Sequence, residues 1–75
     1  MQTELELLYE EREELRALID MYDHEITYLE EYIANKSGLA GRIATDLWKA
    51  QTRRAELRAN FAKNESKIKS LKTAN

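Results

Sequence analysis

The single histidine, His24, follows Asp20 by four residues and stands between Asp23 and Glu25. On a helix, Asp20 and His24 would share a face and could offer two metal ligands. A closed site needs more, and nothing at a fixed spacing supplies a third. His24 therefore reads as a surface histidine, and no metal is expected. Glutamates crowd the first half of the chain, but helical spacing turns them toward solvent. No water-excluding pocket is there to shift a carboxyl into the range needed for acid–base work. The chain has no Cys, which removes thiolate nucleophiles, Cys-based metal sites and disulfides. We expect no enzyme, no cofactor and no small-molecule substrate.

The chemistry these residues can do is the chemistry of contact. Leu18, Met21, Tyr28 and Tyr32 recur at helical spacing in the first half, and Trp48 stands with Ala44, Ala55 and Ala62 in the second. Large rings bury much area at small entropic cost and dominate interface energies. We take Leu18, Met21, Tyr28, Tyr32 and Trp48 as candidate partner-binding residues. Arg42, Lys49, Arg53, Lys63 and Lys67 form a basic stripe in the second half, the alternative site, for phosphates of a nucleic acid. Arg12 and Arg54 occupy positions that the pattern below makes internal, where a polar residue specifies register at a cost in stability. We expect Arg54 over the ring of Tyr22, and Arg12 within reach of Asn64 or nearby acids.

These residues depend on the elements that carry them. From Leu5, the positions 5, 8, 12, 15, 19, 22, 26, 29 and 33 advance in alternating steps of three and four and are mostly Leu or Ile. This is a heptad with a at 5 and d at 8, the pattern of a coiled-coil seam. The same phase runs on through Ile43, Leu47, Ala50, Arg54, Leu57, Phe61, Asn64, Ile68 and Leu71. Thr3 followed by Glu6 predicts a capping box at the first helix start. Between the two seams lies Asn35-Lys36-Ser37-Gly38-Leu39-Ala40-Gly41, whose two glycines disfavour a continuous helix and suit a turn centred on Gly38. The pattern predicts one helical-hairpin domain over 1–75, with helix 1 about 3–36, a turn about 36–40 and helix 2 about 40–72.

Charge supports an antiparallel return. Residues 1–35 carry eleven acids and two bases, whereas residues 36–75 carry three acids and ten bases, within a net charge of −2. Pairing residues whose numbers sum to 76 sets Leu8 against Ile68, Ile19 against Leu57 and Ile33 against Ile43. It also sets Glu11 near Lys67 and Glu25 near Arg53 as expected ion pairs, with Arg16 against Arg58 as the one repulsive contact. Two continuous helices from two chains would satisfy the same rule. Such a swapped dimer would span roughly 105 Å, against roughly 50 Å for a hairpin, and the glycines favour the hairpin.

Leu18, Met21, Tyr28 and Tyr32 fall at c and g, and Ala44, Trp48, Ala55 and Ala62 at b and e, so the hairpin presents two apolar edges on opposite sides. Two arms alone cannot cover them, which points to a homodimer in the form of a four-helix bundle. The longest uncharged run, Ser37–Gly41, is far too short for a bilayer, and no basic, apolar leader opens the sequence. The expected setting is cytoplasmic with no membrane contact. The function these features point to is a protein–protein interaction module: a small adaptor, assembly factor, chaperone or inhibitor. The alternative is a small dimeric nucleic-acid regulator using the basic stripe.

Overall fold

The computed structural model describes residues 2–35 and 40–73. It is all-α: α1 spans Glu4–Asn35 and α2 spans Ala40–Thr73, with 32 and 34 residues, packed antiparallel along their length. At 1.5 Å per residue a helix of this size is about 50 Å long, and the molecule measures 57 × 18 × 14 Å. The expected turn centre, Gly38, lies outside the described residues. The other glycine, Gly41, lies inside α2 and does not adopt a positive φ, and a Cβ placed on it would meet nothing within 4 Å.

The start of α1 follows from Thr3. Its hydroxyl accepts the Glu6 amide at 3.2 Å and its carbonyl accepts the Leu7 amide at 3.1 Å, so two amides of the first turn have partners. Only the threonine half of the capping box forms. The Glu6 carboxylate instead joins Glu4 as negative charge in the first turn, where it complements the helix dipole.

Burial follows the heptad. Leu8, Leu15 and Ile26 on α1, and Ala50, Leu57, Asn64 and Ile68 on α2, are buried, and the other seam positions are half-buried. Two helices enclose only one seam, so most of these side chains keep one flank toward solvent. Ile26 and Ala50, which the antiparallel register sets opposite one another, are 1% and 5% exposed.

The polar layers are resolved differently from expectation. Arg54 does not lie over Tyr22; its guanidinium donates to the Asp23 carboxylate at 2.8 Å, and Arg58 reaches the same oxygen at 3.4 Å. A carboxylate beside the seam binds a guanidinium more tightly than a ring face does, and Asp23 is one residue from Tyr22. Arg12 engages neither Asn64 nor an acid among the described residues. It stacks on Tyr9, 5.2 Å from the ring centroid, with its Nε buried and without a partner. The Asn64 amide nitrogen, on a side chain 1% exposed, donates to the Leu8 carbonyl at 2.9 Å and to Glu11 at 3.1 Å.

Candidate functional site

Two long edges flank the seam, and the structure places the candidate residues on both. The first edge holds the c and g positions. Here Leu18 is marginally exposed, while Met21 and Tyr28 stand clear at 53% and 65% exposure. Leu7 joins them, half exposed, fourteen residues before Met21 on the same stripe. The sequence reading passed over Leu7, although its place at c was the available signal. Tyr32 is half-buried, its ring tilted 37° against Tyr28 with centroids 6.4 Å apart. The tilted pair makes a broad aromatic end to the stripe.

Beside these residues, on the same edge, α2 presents the basic stripe. Glu25, Tyr22 and Leu29 share an open groove with Asp46, Lys49, Ala50 and Arg53. Nearer the termini, Glu11 and Leu15 share another with Asn60, Lys63, Asn64 and Lys67. The expected cross-helix pairs do not close there. Arg53 instead takes Glu56 of its own helix at 3.0 Å, and Glu11 accepts from Asn64. Among the described residues, Arg42, Lys49, Lys63, Lys67 and Glu25 take part in no ion pair, and all five are exposed. A partner three residues along the same helix is nearer for Arg53 than one across the seam.

The second edge, at b and e, carries Trp48 at 65% exposure, with Ala44, Ala55 and Ala62 also exposed. Several of its charges are used within the hairpin. Asp23 holds Arg54 and Arg58, and the ring of Tyr9 lies between Arg12 and Lys72, the latter 5.3 Å from its centroid. Arg16 is next to Glu13 at 3.6 Å and rests over Phe61 at 6.0 Å. The expected clash of Arg16 with Arg58 is thus relieved, each cation having its own carboxylate. Sequence reading missed the Asp23 clamp; Asp23 and Arg58 both sit at e, and an e–e pair across an antiparallel seam is the cue.

The structure therefore separates the five partner-binding candidates into two sets. Leu18, Met21, Tyr28 and Tyr32 share the first edge with the basic stripe, whereas Trp48 is on the other side of the hairpin. His24 is exposed, and its Nδ1 engages the Asp20 main-chain carbonyl at 2.8 Å, so that nitrogen is turned into its own helix. Among the described residues, no three His, Asp or Glu side chains are grouped to hold a metal ion, and no helix is long and apolar enough to cross a membrane. Comparison with protein-family models, curated proteins and solved structures gives no match to this chain.

Proposed function

We propose that this chain is a non-enzymatic protein–protein interaction module, a small helical-hairpin adaptor, assembly factor, chaperone or inhibitor that works by laying an edge of the hairpin against another helix. One observation carries the reading: Leu7, Leu18, Met21 and Tyr28 are exposed along a single stripe of α1. A periodic apolar stripe of this kind is what a docking helix presents to a partner. Acids at Glu11, Glu14 and Glu25 interleave with it, so a partner is selected by charge as well as shape. A homodimer in a four-helix bundle is the simplest assembly that covers the edge, and a cytoplasmic setting fits a chain without Cys.

A second reading is favoured by a different observation. Lys49, Lys63, Lys67 and Arg42 have no acidic partner among the described residues of the hairpin, which leaves a row of cations open to phosphates. Against it, the acids of α1 border the same edge and repel a polyanion.

Affinity capture separates the two. Wild-type protein and a Met21→Asp, Tyr28→Asp variant are compared for bound protein and bound nucleic acid. A discrete protein, or a second copy of the chain, held by the wild type and lost by the variant supports the interaction module. Nucleic acid held by both and released by salt supports the basic stripe.

A further inference from the structure

The two edges differ in how their charges are used. On the second edge Asp23 holds Arg54 and Arg58 and Glu13 lies beside Arg16, while Lys72 rests over Tyr9 and Lys69 has no carboxylate partner among the described residues. On the first edge Glu25 lines a groove with Lys49 and Arg53, and Glu11 lines one with Lys63 and Lys67, yet neither acid closes an ion pair across it. Glu11, Glu14 and Glu25 on α1 and Lys49, Lys63 and Lys67 on α2 form two parallel rows of opposite sign that close no ion pair with each other, and Arg53 has only the exposed Glu56 of its own helix. Such rows are arranged for something with the same two rows in reverse. A second copy of this chain has them.

We infer that the first edge docks on the first edge of another copy about a two-fold axis parallel to the helices, which specifies the partner within the interaction-module reading and rests on it. Turning one hairpin about that axis lays its α1 antiparallel over the partner's α2 at the same height along the molecule. Glu25 then faces the basic stripe of the other copy at positions 53 and 49, and Glu11 faces it at positions 67 and 63. With the in-chain neighbours these charges alternate in sign around a square. Each contact occurs twice by symmetry, and Met21 and Tyr28 are covered by the aliphatic stems of the other copy's α2 side chains. The other two-fold arrangement, with its axis across the helices, sets α1 on α1 and α2 on α2. It brings Glu11, Glu14 and Glu25 against the same acids and the basic stripe against itself, and like-charge juxtaposition of this extent opposes binding.

The symmetry sets the test, made with the intact chain by sedimentation equilibrium. Wild type is expected to dimerise and to weaken about tenfold as salt rises from about 50 to about 500 mM, since exposed pairs are screened over a Debye length of about 10 Å or less. Glu25→Lys alone and Arg53→Glu alone each place like charges at both contacts and are expected to weaken the dimer about tenfold or more. Their equimolar mixture forms a heterodimer with opposite charges at both contacts. At one, the lysine introduced at position 25 meets the glutamate introduced at position 53; at the other, the unaltered Glu25 meets the unaltered Arg53. The mixture is expected to recover wild-type affinity within about threefold. Helical content by circular dichroism should be unchanged in both variants, because Glu25 has no ion-pair partner among the described residues and Arg53 has only the exposed Glu56.

As a second measurement, chains carrying Met21→Cys and Glu56→Cys should cross-link when mixed. Cross-linking of Met21→Cys chains to one another would instead show α1 on α1 and overturn the arrangement. Failure of the charge-reversed mixture to restore affinity also overturns it. A monomeric wild type that still holds a foreign protein through Met21 and Tyr28 overturns self-docking while leaving the interaction module standing.

Discussion

Asp23 is the residue on which the second edge turns, because one carboxylate oxygen takes both Arg54 and Arg58. Its side chain is 39% exposed and that of Arg54 24%, so water screens the pair and its worth is modest. Asp23→Asn should lower stability by about 0.5–1 kcal/mol, read as a shift in urea midpoint that shrinks in high salt. Asn64 is the opposite case. Its Oδ1 is buried with no partner, while its nitrogen serves the Leu8 carbonyl and Glu11. Replacing it with Leu strands neither group, since the Leu8 carbonyl keeps its place in the helical ladder and Glu11 is exposed. Asn64→Leu should therefore raise stability by about 1 kcal/mol in chemical denaturation, as replacing a buried polar group at a seam position with an apolar one does. A loss of stability would mean that the amide hydrogen bonds outweigh the apolar burial.

Among the elements, α1 and α2 were legible because a single heptad phase runs through both. Each of the eighteen seam positions named from the sequence is buried or half-buried. The glycines were less legible. Residue type makes both suit a turn, but only Gly38 was placed at its centre; Gly41 is one residue inside the start of α2, where helical geometry asks for no positive φ. Open space around its Cβ position makes Gly41→Ala a clean measure of helix propensity. It should stabilise the hairpin by up to about 1 kcal/mol, seen as a higher thermal midpoint with unchanged helical content. Destabilisation there would show that the start of α2 needs the freedom of glycine.

For the whole molecule, length decides between one chain folded back and two chains exchanged. The hairpin is 57 Å long, and the face-to-face dimer inferred above keeps that length while doubling the mass. Small-angle scattering should give a maximum dimension of about 60 Å whether or not the chain dimerises, whereas a swapped pair of continuous helices would give roughly 105 Å. The same scale explains why both edges expose apolar side chains. A two-helix molecule has no third layer, so apolar side chains outside the seam, such as Met21, Tyr28 and Trp48, stay in contact with solvent until another chain covers them.

Period and phase are local properties that any helix expresses wherever it packs, so the helices, the seam and the two apolar edges follow from the order of residues alone. Heptad position likewise suffices to put Trp48 and Tyr28 on opposite sides. Pairing among charges was decided in the folded molecule. Glu25 with Arg53 and Glu11 with Lys67 were reasonable by register, yet Arg53 takes Glu56 one turn along its own helix and Glu11 accepts from Asn64, just as Arg54 takes Asp23 beside the seam rather than the ring of Tyr22. Register names the candidates within about a turn. Distance and side-chain reach choose among them, and those exist only once the two helices lie side by side.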